Sequence, residues 1–171
     1  MKLLLSFVFA ALMIPSLVLA GPQYIDETDY AVSGYDVVAY YDLKQSELGQ
    51  PQPLGVPGNT AFTAQYNDAT WAFSTKANRD AFVKNPEAYA PQYDGHCAYG
   101  VANGGKVPGN PNLWYIYEGK LYLNITKNVF GFWQDDIPGN LKQSTRNWKK
   151  LESKAASKAT IPSFSSKAPN S

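Results

Sequence analysis

Two segments of the chain constrain its fold more than any other feature, because both alternate large apolar side chains with small or polar ones around a short turn. The first covers residues 62–74 around Asn67-Asp68-Ala69, and the second covers residues 113–125 around Glu118-Gly119. Alternation with period two is typical of strands with one buried face, and a short polar turn between two such runs indicates a β-hairpin. The sequence therefore predicts two hairpins that contribute to one small antiparallel sheet.

Helical spacing of apolar residues follows each hairpin. The predicted helices span residues 76–84, residues 126 to about 136, and residues 140–151. Ser74 or Thr75 can cap the first helix, Thr126 the second and Asn140 the third, because their side chains accept a hydrogen bond from the first helical turn. The expected fold class is α+β, a single domain with a small antiparallel sheet built from hairpins and two to four short helices.

The remaining segments carry weaker signals. Residues 30–41 are rich in β-branched and aromatic side chains, which favours a strand with a bulge or turn at Ser33-Gly34. Residues 44–60 are rich in Gly and Pro and predict a surface loop. Residues 153–171 contain mostly Ser, Ala, Lys and Pro, which predicts a flexible tail with little to bury. No internal repeat is evident.

The first twenty residues have the pattern of a secretory signal peptide. Lys2 supplies the charge, residues 3–17 form an apolar core, and Val18-Leu19-Ala20 offers small residues at the cleavage positions. Cleavage after Ala20 is expected to release a periplasmic or secreted protein that starts at Gly21. No later stretch reaches the roughly 18 apolar residues of a membrane span, so we expect none after cleavage.

Charge and length restrict the classes of partner. Without Lys2, 14 basic residues stand against the 14 acidic ones, which gives no electrostatic basis for binding nucleic acid or an anionic membrane. The 151 residues after the predicted signal fit one domain of ordinary size. The partners that remain are a metal ion, a small ligand or another protein.

The strongest chemical signal is the pair His96-Cys97, the only histidine beside the only cysteine of the chain. Imidazole and thiolate groups bind Cu(I) and Zn(II) in preference to Mg(II) or Ca(II). Asp36 and Asp94 are the nearest acidic candidates to complete such a site or to orient the imidazole. We therefore predict a copper or zinc site in an accessible turn, with His96, Cys97, Asp36 and Asp94 as candidate ligands.

Other interpretations of these residues stay open. Cys97 can pack as a small buried hydrophobe while His96 bonds a backbone carbonyl, and Asp36 and Asp94 can cap local turns. A Cys97 nucleophile with His96 as base would make an enzyme, but no third catalytic group is visible. Four tyrosines can line a groove for an aromatic or sugar-like ligand, or pack in the core with their hydroxyls at its rim: Tyr35, Tyr40, Tyr93 and Tyr99.

Four separated motifs, in order, carry a resemblance to a known family: residues 33–41, 71–74, 86–89 and 93–98. Together they resemble the exported, single-domain bacterial branch of the YHS-domain family, over roughly residues 30–150. The resemblance implies a YHS-like domain at residues 21–152 and metal binding, which is proposed for the family through two cysteines. The corresponding stretches here, residues 33–35 and 74–78, contain no cysteine.

The expected function is an exported, non-enzymatic binding module, with a transition metal at the His96-Cys97 turn. The alternative is a structural or protein-interaction domain of the periplasm without a metal.

Overall fold

Two β-hairpins, each followed by a helix with a threonine cap, form the framework of residues 21–171, the part of the chain that this computed structural model describes. The predicted signal peptide, residues 1–20, lies outside the described residues. The α+β prediction is confirmed: the fold contains two small antiparallel sheets of two strands each and five helices in one domain.

The first strand of each hairpin begins three residues earlier than the alternation of its side chains predicts. The first hairpin pairs β1 (Asn59–Tyr66) with β2 (Ala69–Phe73), and the second pairs β3 (Asn110–Tyr117) with β4 (Lys120–Asn124). Both hairpins are confirmed. They form two separate sheets rather than one shared sheet, since no strand of the first hairpin pairs with a strand of the second within the described residues.

Three of the five helices lie close to where the helical spacing predicts them, at residues 76–84, 127–135 and 137–151, whereas the short helix at residues 98–102 was not predicted. The five helices are α1 (Lys76–Lys84), α2 (Pro86–Tyr89), α3 (Ala98–Ala102), α4 (Lys127–Asp135) and α5 (Ile137–Leu151). Thr75 and Thr126 cap α1 and α4 by accepting hydrogen bonds from backbone amides. Asp136, and not Asn140, caps α5, so this helix starts three residues earlier than predicted and holds Pro138 in its first turn, where proline is tolerated. Among residues 21–171, no helix is long and apolar enough to cross a membrane.

The two hairpin–helix units repeat each other, and the expectation of no internal repeat is wrong. Every strand boundary of the second hairpin lies 51 residues after its counterpart in the first, and so does the start of α4 after that of α1. Both hairpins also carry a register shift at the same place, between the first residue of the longer strand and the fifth. We call residues 31–89 the first half and residues 92–151 the second half.

A tight turn precedes each unit and is repeated as well. Val32–Gly34 and Tyr93–Gly95 each hold three consecutive residues at positive φ. The carbonyl of Gly34 accepts a hydrogen bond from Gly58 N (2.9 Å), and the carbonyl of Gly95 accepts one from Gly109 N (3.0 Å). These donors must be glycine, because a Cβ on Gly58 would lie 2.6 Å from the Gly34 oxygen and one on Gly109 would lie 2.7 Å from the Gly95 oxygen.

The repeat has one trace in the sequence, the tetrapeptide Val-Pro-Gly-Asn, which occurs at residues 56–59 and again at residues 107–110. The turns are 61 residues apart whereas the hairpins are 51 apart, so the loop between turn and hairpin is ten residues longer in the first half. This longer loop includes the Gly- and Pro-rich segment that was predicted to lie at the surface.

Residues 30–41 do not form the predicted strand. Val32–Gly34 and Ala39–Tyr41 are short 3₁₀ turns, and Tyr35 makes only an isolated bridge with Pro57. The reason is the Asp36 side chain, which accepts hydrogen bonds from the amides of Val38 (2.9 Å) and Ala39 (3.2 Å) and so bends the backbone into a turn.

The core consists of two apolar clusters, and the larger one contains residues of both halves. The larger one packs Trp71, Phe73 and Phe82 of the first half against Trp114 and Leu123 of the second hairpin, all at most 1% exposed. The smaller one lies between β4, α3, α4 and α5, around Trp133.

The segment after α5 buries more than predicted. Residues 153–171 lie along the domain, with Ile161 and Ala168 buried and Phe164 packed against the larger cluster. Asn170 pairs with the first hairpin, since its amide donates to the Gly58 carbonyl at 2.7 Å. The expectation of a tail with little to bury is therefore corrected, because scattered apolar residues in a polar segment find a surface that only the folded domain provides.

Candidate functional site

His96 is fully buried and both of its ring nitrogens are engaged. Nε2 lies 3.1 Å from the Ser157 amide, and Nδ1 lies 2.9 Å from the Tyr93 carbonyl. An amide can only donate and a carbonyl can only accept, so Nε2 is the acceptor and Nδ1 carries the proton. Burial lowers the pKa of His96 to about 4, which keeps the imidazole neutral at physiological pH.

Cys97 is also fully buried, as the residue that caps α3. Its Sγ accepts a hydrogen bond from Gly100 N at 3.3 Å and lies 3.5 Å from Asn124 Oδ1. Burial raises the pKa of the thiol above its ordinary value, so the group stays protonated at neutral pH. The His96-Cys97 turn was predicted to be accessible, but neither the imidazole nor the thiol is exposed to solvent.

The two predicted carboxylate ligands occupy different environments. Asp36 is fully buried and accepts hydrogen bonds from Val38 N, Ala39 N, Ser74 N, Ser74 Oγ and Asn78 Nδ2. Asp94 has one buried oxygen, Oδ2, without a hydrogen-bond partner in the described chain, and burial raises its pKa to about 6. Within residues 21–171, no three His, Cys, Asp or Glu side chains lie close enough together to hold a metal ion.

The four candidate tyrosines divide between the two clusters. Tyr35 and Tyr40 are buried in the larger one, where the Tyr40 hydroxyl donates to the Pro111 carbonyl at 2.7 Å. Burial raises the pKa of Tyr40 well above its usual range. Tyr93 and Tyr99 are half-buried against the smaller cluster, and Tyr93 also lines a shallow groove of about 190 Å³ beside Trp148.

A larger groove of about 680 Å³ lies elsewhere, and sequence reasoning missed it. Four parts of the chain form its walls: residues 49–54 of the longer first-half loop, residues 110–113 and 125–126 in and after the second hairpin, one side of α4, and residues 162–164 of the C-terminal segment. Its lining includes the apolar residues Leu54, Leu113, Ile125, Phe130, Pro162 and Phe164.

One face of α4 provides a wall of this groove, because Lys127, Phe130, Gly131 and Gln134 follow one another at helical spacing. Gly131 is in the middle of the helix, and a Cβ built on it would meet nothing within 4 Å. Gln134 Nε2 is buried and has no hydrogen-bond acceptor in the part of the chain described. The groove therefore combines apolar walls and an open position at Gly131, and the Gln134 side chain in its wall has a buried donor without an acceptor.

A signal for the groove was present in the sequence. Glycine inside a helical pattern costs about 1 kcal/mol relative to alanine, so Gly131 in the segment predicted to be helical required a reason. The walls at residues 49–54 and 162–164 gave no such signal, because Gly, Pro and Ser residues there are typical of any surface loop.

No protein-family model, no curated protein and no solved structure matches this chain. The resemblance to the YHS-domain family stays a prediction.

Proposed function

We propose that this protein is an exported, non-enzymatic binding module, related to the YHS-domain family, that takes a small ligand in the 680 Å³ groove. The ligand has an apolar body and a hydrogen-bond acceptor such as a carboxylate. The His96-Cys97 turn then has a structural role. The observation that carries the proposal is the empty space beside Gly131 in a groove that is also lined by Gln134, whose buried amide nitrogen has no acceptor in the described chain.

Gly131 supports ligand binding because the fold has no packing reason for it. A glycine in a helix interior is usually explained by a neighbour that approaches too closely for a Cβ, and no neighbour lies within 4 Å of that position. Alanine would make α4 more stable by about 1 kcal/mol. A need to keep the groove open explains the glycine, and the groove volume lies within the range of about 300–1,000 Å³ that is typical of small-ligand sites.

The polar groups of the groove indicate the ligand's chemistry. A buried amide without an acceptor costs about 1–3 kcal/mol, and an oxygen on a ligand would satisfy Gln134 Nε2 once the side-chain amide turns towards the groove. Lys127 lies two helical turns before Gln134 on the same face of α4, and its ammonium group adds a positive charge at the groove. An amphipathic carboxylic acid, aliphatic or aromatic, matches both groups better than a sugar or a cation does.

Metal binding at His96-Cys97 has less support. A neutral imidazole binds a metal through an unprotonated nitrogen, and the lone pair of Nε2 is occupied by the Ser157 amide. The Cys97 ligand would have to lose its proton in a buried position where the thiolate is disfavoured. A metal ion could bind here only if the hydrogen bonds from Ser157 N to His96 Nε2 and from Gly100 N to Cys97 Sγ were broken and the turn opened to solvent.

The test compares Gly131→Leu with Asn128→Leu in the processed protein. Both variants place leucine on α4, but residue 131 lines the groove whereas Asn128 is exposed outside it. The probe is anilinonaphthalene sulfonate, which has an aromatic body and an anionic head, followed by its displacement with straight-chain carboxylates of 6 to about 14 carbons, a range set by the volume of small-ligand sites.

We expect saturable binding of one probe per chain, and at least about tenfold weaker binding by Gly131→Leu, which corresponds to about 1.4 kcal/mol. Its melting temperature should not fall, because leucine is the better helix former. Asn128→Leu should bind like the wild type. Equal isotherms for the wild type and Gly131→Leu would show that the groove is not the binding site.

A further inference from the structure

Asp94 lies in the tight turn of the second half and leaves one carboxylate oxygen unsatisfied. Oδ2 is buried, and no donor from residues 21–171 reaches it. The positive charge of Lys106 acts on this carboxylate, but the Lys106 Nζ donates its hydrogen bonds to the backbone carbonyls of Glu152 (3.2 Å) and Lys154 (2.8 Å) instead. A buried carboxylate oxygen without a donor is costly, so this position needs a positively charged or N–H partner.

Gly21 is the residue that faces this oxygen. A Cβ built on Gly21 would lie 2.7 Å from Asp94 Oδ2 and would collide with the backbone carbonyl oxygen of Glu152, so no side chain fits here. The Gly21 carbonyl accepts a hydrogen bond from Asn67 Nδ2 at 2.9 Å, which holds the residue in place. The position that a Cβ would occupy on Gly21 is thus bordered by two acceptor oxygens, Asp94 Oδ2 and the Glu152 carbonyl oxygen.

We propose that this point is the binding site for the protein's own processed N-terminus. The proposal depends on the predicted cleavage after Ala20, which would turn the Gly21 nitrogen into an α-ammonium group. Freed from the preceding peptide bond, this group can rotate about the Cα–C bond towards the position of the absent Cβ, which lies 2.7 Å from Asp94 Oδ2. The Glu152 oxygen is too close to that position for any heavy atom, so the freed chain end also moves away from it until the N···O distance reaches hydrogen-bond length. There it donates hydrogen bonds to Asp94 Oδ2 and to the Glu152 carbonyl.

The surroundings favour a positive charge at this point. Glu152 is the C-cap residue that follows α5, and the carbonyl groups at a helix C-terminus attract cations. An ammonium group has three donors, which matches a site with two acceptors and little room. An uncleaved chain has an amide with one hydrogen at this nitrogen and no charge, so it cannot compensate the Asp94 carboxylate in the same way.

The site would link processing to stability. Gly21, Asn67, Asp94 and Glu152 come from the N-terminus, the first hairpin, the second-half turn and the end of α5. The terminal residue therefore joins three other segments that are distant in the sequence, the first hairpin through its carbonyl and the other two through its ammonium group. The folded protein would distinguish a correctly cleaved chain from one that retains a single extra residue.

The experiment uses two forms of the protein, one that begins at Gly21 and one that begins at Ala20, each with Asp94 and with Asp94→Asn. In the Gly21 form, Asp94→Asn should lower the melting temperature by about 4 °C or more, as expected for removing one partner of a largely buried ion pair. In the Ala20 form, the same substitution should leave the melting temperature unchanged or raise it, because it removes an uncompensated carboxylate.

A second measurement does not depend on stability. Acetylation of the α-amine at neutral pH should be at least about tenfold slower in the Gly21 form than in its Asp94→Asn variant, since an ammonium group in an ion pair holds its proton more tightly. Equal acetylation rates, or an equal effect of Asp94→Asn in both forms, would overturn the proposal. The test is independent of the groove, because neither Gly21 nor Asp94 lines it.

Discussion

The two halves of the molecule share one backbone plan and differ in the side chain that follows the tight turn. Asp36 and Cys97 occupy equivalent positions: the Asp36 amide donates to the Val56 carbonyl (2.9 Å), and the Cys97 amide donates to the Val107 carbonyl (2.8 Å). The amide three residues later donates to Asp36 Oδ1 in the first half and to Cys97 Sγ in the second.

This equivalence changes the interpretation of the most conspicuous residue pair in the sequence. Cys97 occupies the place of a capping carboxylate, so its burial and its contact with Gly100 N have a structural explanation that the first half repeats. The groove lies where the halves differ, since one of its walls belongs to the loop that is ten residues longer in the first half. A function of this groove would therefore depend on a part of the backbone that the two halves do not share.

The largest effect should come from the cap of the first half. Asp36→Asn keeps the shape of the side chain but replaces one acceptor oxygen by an NH₂ group that faces backbone or side-chain donors. We expect the free energy of unfolding to fall by about 3–5 kcal/mol, measured by urea denaturation. Asp68→Asn, in the exposed turn of the first hairpin, is the control and should change it by less than about 0.5 kcal/mol. A loss below 1 kcal/mol for Asp36→Asn would contradict the cap.

The second effect concerns His96, whose counterpart in the first half is Tyr35. Its pKa is lowered to about 4 in the fold from an unfolded value near 6.5, so the unfolded chain binds more protons between these values. Stability should therefore fall as the pH is lowered from 6.5 to 4, by about 3 kcal/mol for this group.

The measurement is the free energy of unfolding against pH for the wild type and for His96→Gln, whose amide can replace both hydrogen bonds but does not titrate. Asp94 and the other carboxylates titrate in both proteins, so the difference between the two curves isolates His96. The excess stability of the wild type over His96→Gln should shrink as the pH falls from 6.5 to 4. Parallel curves would mean that the imidazole is not buried in its neutral form.

The smallest effect should come from Cys97→Ser. Serine keeps an acceptor for Gly100 N but loses the apolar character that a fully buried thiol provides, so we expect a loss of about 1–2 kcal/mol in chemical denaturation. Cys97→Ala, which lacks the acceptor, separates the hydrogen bond from packing. Stoichiometric uptake of Cu(I) or Zn(II) by the wild type, lost in Cys97→Ser, would instead restore the metal prediction.

Local signals were reliable where a segment's neighbours in sequence are also its neighbours in space. The strands of both hairpins, the helix at residues 76–84 and the caps at Thr75 and Thr126 depend on contacts within a few residues, and all were predictable. The prediction of a strand at residues 30–41 was wrong for the opposite reason. Their β-branched composition favours a strand, but Asp36 bonds both its own turn and Ser74, 38 residues away.

The sequence by itself determined the class of fold, the two hairpins and the helices that follow them, because alternation, helical spacing and capping residues act over short distances. The tertiary structure decided what the candidate site residues do. Whether His96 offers a lone pair depends on Ser157, 61 residues later, and whether Asp94 is satisfied depends on what meets it from residue 21. Burial and hydrogen-bond partners of this kind are properties of the packed chain, and no residue pattern encodes them locally.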